Sequence, residues 1–168
     1  MIDLLKSIGG FLLVIALIIG SVFLVIFFIK GGIWLSVKVL PWLSIALWVV
    51  LALDILLILP LGIFDKTKAI SAVGFISSSY VYGLTLWFWA LLITYILWGG
   101  IAVFIGLIIA GVGVVPMAVI ATMLTGDWAS VLQLVLLLLL TYGSRLLGYY
   151  LAQRVDELTY QSDYGFDS

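Results

Sequence analysis

The sequence predicts an all-α integral membrane protein: four transmembrane helices in a bundle, with a short interfacial or re-entrant helix before the last span. Two observations carry that reading. Of 168 residues, 66% are hydrophobic and 9% charged, whereas soluble domains run near a quarter charged and have too little interior at this length to hide so much apolar surface. The apolar residues also gather in runs long enough to cross about 30 Å of hydrocarbon at about 1.5 Å per helical residue.

The first run, Phe11 to Ile29, exceeds the apolar core of a signal peptide and lacks a small-residue cleavage motif, so it reads as a retained anchor. "KGG", Lys30 to Gly32, punctuates its end. The second run, Pro41 to Phe64, stops at "DKTK", Asp65 to Lys68. The third, Tyr80 to Ala110, lies in a region where Leu84 to Leu124 carries no charge at all. A break is expected at "GVGVVP", where Gly111 and Gly113 precede Pro116, a residue that removes a backbone donor and disfavours helix just before it. "MAVIATMLTGDW", Met117 to Trp128, then forms the short helix, and the last span runs from Ala129 to Leu151. Residues 1–152 make one polytopic domain, and 153–168 a cytoplasmic tail with a frayed helix end followed by disorder.

A turn at Gly99 and Gly100 would give five spans instead, but it would expose backbone groups with no polar side chain to draw them into water. The positive-inside rule favours four. Four spans place Lys6, Lys66, Lys68, Arg145 and Arg154 on one side against Lys30 and Lys38, five against two; five spans give three against four. Both termini are then cytoplasmic. Trp34, Trp42 and Trp128 fall near the outer face, and Tyr80, Tyr82, Tyr149 and Tyr150 near the inner one, as interfacial anchors do.

Asp54 stands in "LALDILLILP", where one turn of helix offers only Val50, Leu51, Leu57 and Ile58. An intramembrane carboxylate costs roughly 2.5 to 3.5 kcal/mol on insertion scales, which calls for a partner. Arg145 is the other charge within a span, and both residues sit roughly 14 to 15 Å inside their cytoplasmic boundaries. An ion pair between Asp54 and Arg145, linking the second and fourth spans, is the expectation. Thr94 and Tyr95, mid-way along the third span, and Thr141 beside Arg145 are the polar groups a pathway would use. Ala102, Gly106 and Ala110 form a small-residue ladder for close helix packing.

The inventory argues against several functions. Seven scattered Lys and Arg give no nucleic-acid footprint. Histidine and cysteine are both absent, which removes the usual general base, metal ligands and thiol nucleophile, and Asp54 is a lone acid within the spans. The expectation is a non-enzymatic membrane component without cofactor or metal, surrounded by lipid bilayer. It would self-associate as a homo-oligomer or bind a partner membrane subunit, serving as a subunit, scaffold or sensor. The alternative is a small oligomeric channel or carrier that uses Asp54 and Arg145. Chain size and the lack of targeting signals suggest the bacterial cytoplasmic membrane.

Overall fold

The computed structural model describes residues 2–64, 67–109 and 113–163, with side chains described from residue 13 to 155 within those ranges. Every described element is helical. Helix α1 spans Ile2–Leu53, passes through a π-helical stretch at Asp54–Ile58 and ends in the short α2, Leu59–Leu61. After a turn, α3 runs Lys68–Ile108, α4 Val114–Thr125 and α5 Trp128–Asp163. Three stretches are long and apolar enough to cross a membrane: Leu13–Leu61, Lys68–Ile108 and Trp128–Val155. A fourth helix, α4, is apolar and shorter.

The chain does not break at Lys30–Gly32, where the sequence suggested the first span would end. Helix α1 continues through both glycines and through Pro41. Each glycine costs a helix about 1 kcal/mol relative to alanine, a cost the helix absorbs here; a Cβ on Gly32 would make only an ordinary contact, 3.7 Å from Leu91 of α3, and one on Gly31 would meet nothing within 4 Å. Ser36 Oγ also donates to the Gly32 carbonyl at 2.7 Å, within the helix. The second span therefore has no start of its own at Pro41.

The third span is corrected at both ends. Helix α3 begins at Lys68 rather than near Tyr80, because the serines of "SAVGFISSS" are absorbed by it: Ser79 Oγ donates to the Ile76 carbonyl at 2.7 Å, and Ser71 Oγ to the Ile58 carbonyl at 2.7 Å. At the other end Gly99 adopts φ 79°, ψ −173°, a left-handed φ open to glycine without a Cβ penalty, and the helix bends sharply there. The size of the bend follows from Val114, whose carbonyl lies 3.4 Å from Thr94 Oγ1 and whose Cα would lie 3.0 Å from a Cβ on Gly106. A straight helix would hold Thr94 and Gly106 about 18 Å apart. Both the rejected turn at Gly99 and the favoured one after Ile109 are thus used.

The second turn brings α4 back onto α3. Of the residues expected to break the helix there, Gly113 immediately precedes α4, Pro116 lies in its first turn, and Gly111 falls outside the described residues, as does Ala110. Helix α4 stops at Gly126, in the left-handed conformation at φ 75°, with the Asp127 N–H reaching the Thr122 carbonyl at 3.0 Å, a Schellman-type end. Helix α3 is the central element, packed against α1, α4 and most extensively α5. The buried core, Leu86, Ala90, Leu91, Val103, Ala118 and Leu134, gathers where α3, α4 and α5 meet. Helix α5 continues as far as Asp163, so the tail begins as an extension of the last helix; residues 164–168 lie outside the description.

Candidate functional site

The charge in the apolar run is answered by hydroxyls rather than by a cation. Asp54 is 5% exposed. Ser78 Oγ donates to its Oδ1 at 2.6 Å, and the Tyr82 hydroxyl donates to its Oδ2 at 2.8 Å. Ser78 and Tyr82 stand four residues apart and so share one face of α3. Both are buried, Tyr82 completely.

The local backbone helps to aim Asp54 at that face. Pro60 has no N–H to give the Leu56 carbonyl, and its ring crowds the preceding turn. The turn before it widens, so that the Leu59 N–H bonds to the Asp54 carbonyl, five residues back. Such π-helical turns often accompany functional sites. On the facing helix, Gly74 lets Ile58 press close: a Cβ there would fall 2.9 Å from Ile58 Cδ1.

Arg145 does not pair with Asp54. Its guanidinium lies over the ring of Tyr80, 5.3 Å from the centroid. The two charges meet neighbouring positions of α3: Tyr80, under Arg145, lies between Ser78 and Tyr82 in sequence. Successive helical residues turn by about 100°, however, which sets Tyr80 on the opposite flank of α3 from both. Helix α3 therefore stands between the two charges. Tyr80 is 61% exposed; Tyr82 is not the interfacial anchor expected, since its ring is interior and its hydroxyl belongs to Asp54.

The remaining polar candidates do not join the cluster. Thr94 Oγ1 donates to the Ala90 carbonyl of its own helix at 2.8 Å, and Thr141 Oγ1 to the Leu137 carbonyl at 2.7 Å. Tyr95 borders a separate apolar groove between α1 and the segment after Gly99, with Lys30 at its edge. Ala102 and Gly106 face inward, Gly106 against Val114 of the same chain. Sequence reasoning missed Ser78 and Tyr82. The available signal was the recurrence of hydroxyls at Ser71, Ser78, Tyr82 and Thr85, a spacing that places them on one helical face.

Among the described residues no three His, Cys, Asp or Glu come together as a metal site would need. One carboxylate accepting from two hydroxyls is a donor set suited to holding helices in register or to exchanging a proton. Compared with protein families, with curated proteins and with solved structures, the chain matches none.

Proposed function

We propose that the chain is a non-enzymatic, polytopic membrane component that works by assembling with copies of itself or with partner membrane subunits. The observation that supports this most is the stretch of α1 from Leu13 to Phe28, whose side chains are largely unpacked: Leu17 is 64% exposed, Phe23 70% and Phe27 81%. The apolar stretch Leu13–Leu61 holds 49 residues, about 74 Å of helix against about 30 Å of hydrocarbon. A straight rod of that length overshoots one membrane more than twofold. The structure holds this stretch as one continuous helix; a reversal at Lys30–Gly32 within the membrane would make its N-terminal part a span of its own. Four spans would then result, with both termini cytoplasmic as the charge bias prefers, in the cytoplasmic membrane of a bacterium. That first span is the least packed of the four, and its faces are open to a neighbouring chain.

The test uses the lack of cysteine. Phe27→Cys should form disulfide-linked dimers or a cross-link to a co-purifying subunit in native membranes, whereas Leu139→Cys, 60% exposed on α5, should not. A monomer in detergent with no partner and no cross-link at residue 27 would refute the assembly reading.

A second reading, a small oligomeric channel or carrier, has one observation in its favour: the buried Asp54 cluster sits one helical turn from a groove that carries Ser44, Thr85, Trp89 and Gln133 among leucines. Ion or proton flux in liposomes carrying the purified protein, lost in Asp54→Asn, is its test.

A further inference from the structure

The groove beside Asp54 is lined chiefly by leucines but carries a few polar groups among them, of which Thr85 donates to the Val81 carbonyl of its own helix. It measures about 470 Å3, lies between α1, α3 and α5, and has Ser44, Thr85, Trp89 and Gln133 as its polar lining. Leu51 and Thr85, also in that lining, stand one turn from Asp54 and Tyr82 respectively, so the inner end of the groove stops one helical turn from the carboxylate cluster. Trp89 Nε1–H is buried and has no acceptor among the described residues. A buried donor left without an acceptor is costly, and ordered water is the common remedy. The groove meets the conditions for water: it is far roomier than one molecule requires, and three helices contribute polar groups.

One turn beyond the groove, the cluster accommodates two protonation states with one change of bonding. As found, the carboxylate accepts from Ser78 and Tyr82. A proton added at Oδ1 would be donated to Ser78 Oγ, and Ser78 would turn its own hydrogen to the Gly74 carbonyl four residues back, a bond serine commonly makes in helices. Tyr82 would keep donating to Oδ2. The titratable or charged group facing Asp54 from α3 is Tyr82. The adjacent turns of its own helix offer only apolar side chains, and Arg145 of α5 is engaged with Tyr80 on the other flank.

We propose that this groove holds water and that Asp54, Ser78 and Tyr82, one helical turn beyond its inner end, form a proton-exchange site open to one face of the membrane. The inference deepens the channel-or-carrier reading and stands or falls separately from assembly.

The full-length protein, in detergent or in lipid nanodiscs, is treated with a hydrophobic carbodiimide, which adds covalently to a carboxyl in its protonated form and is read by mass. One adduct is expected, mapped to Asp54 and absent in Asp54→Asn. Its rate should fall about tenfold per pH unit on the alkaline side, as a one-proton ionisation requires. No adduct at Asp54, a rate independent of pH, or protection by sodium at fixed pH would overturn the proton site. Water in the groove is tested by Thr85→Cys, which should react with a hydrophilic thiol reagent because the reactive thiolate needs a polar surrounding. Leu84→Cys, next to it and 51% exposed on the outer face of α3, should react far more slowly in nanodiscs. A silent Thr85→Cys, or equal rates at both positions, would overturn the groove.

Discussion

Tyr82 donates its hydroxyl hydrogen to Asp54 at 2.8 Å across 28 residues of sequence, and with Ser78 it fixes how α3 sits against the π-helical turn of the first helix. Hydrogen bonds to a charged acceptor contribute about 1.5 to 3 kcal/mol in soluble proteins, and those between membrane helices less, up to about 1.7 kcal/mol. Tyr82→Phe and Ser78→Ala should each lower unfolding stability in mixed micelles by about 1 to 2 kcal/mol. In a double-mutant cycle, Asp54→Asn and Tyr82→Phe should couple by at least about 0.5 kcal/mol, while Asp54→Asn and Arg145→Gln should be additive. Strong coupling of the second pair would mean that the two charges communicate after all.

Close approach of α3 and α5 depends on Gly148. A Cβ there would meet Ile76 Cγ1 at 2.7 Å, the Ala72 carbonyl oxygen at 3.1 Å and the Ile76 nitrogen at 3.2 Å. Two of these are backbone atoms that no rotamer change can move. Gly148→Ala should therefore push the helices apart and cost about 1 to 3 kcal/mol, the usual range for overpacking. Gly20→Ala is the control: nothing lies within 4 Å of its added carbon, so stability should stay level or rise by up to about 1 kcal/mol through helix propensity. Equal effects of the two substitutions in the same unfolding assay would contradict the packing described.

Why some of this was legible in the sequence and some was not comes down to how far each signal reaches along the chain. Composition announces the all-helical, strongly apolar architecture, because every backbone group in such a chain must be satisfied locally. The turn after Leu61 was visible in "DKTK", where charge and apolar pattern change together. Lys30–Gly32 misled, since two glycines lower helix propensity by only about 1 kcal/mol each and the long apolar helix on either side of them runs on. Gly99 misled in the other direction: the bend there is stabilised by Val114 packing on Gly106, a contact between residues on two different helices. That Asp54 would need a partner was readable from its apolar surroundings, but which partner was not. Depth does not say which helix stands between two charges, and the hydroxyls at Ser78 and Tyr82 became meaningful only once their face of α3 was known.

Asp127 begins α5 by accepting the backbone N–H of Ser130 at 3.2 Å. The Ser130 hydroxyl and then that N–H hold its carboxyl below the usual carboxylate range. A carboxyl with a lowered folded value stabilises the fold above its unfolded value, near 3.9, and that contribution is lost as pH falls through the folded value. Thermal stability of the wild type should thus decline in acid below about pH 4 by more than that of Asp127→Asn, which keeps an acceptor oxygen and does not titrate. Parallel declines of Tm with pH in the two proteins would show that Asp127 is not responsible.

The length of the first helix yields the most decisive prediction about topology. If the stretch Leu13–Leu61 crosses once without bending, it, α3 and α5 make three crossings, and the termini lie on opposite sides. If it bends at Lys30–Gly32, there are four crossings and the termini share a side. Lys38 and Trp34, stacked at 4.9 Å, then belong to the outer boundary, where an aromatic ring and a cation suit the headgroup region. Reporter fusions that function only in the cytoplasm should be active at both ends, and Lys38→Cys in an otherwise cysteine-free chain should react with an impermeant thiol reagent added from outside. The double substitution of Gly31 and Gly32 by leucine should stiffen the bend and reduce correctly inserted protein, while Gly20→Leu should not. An inactive N-terminal fusion beside an active C-terminal one would establish an odd number of crossings. With three, the unpacked stretch of α1 would project beyond the hydrocarbon, where its apolar side chains would need a protein partner for cover.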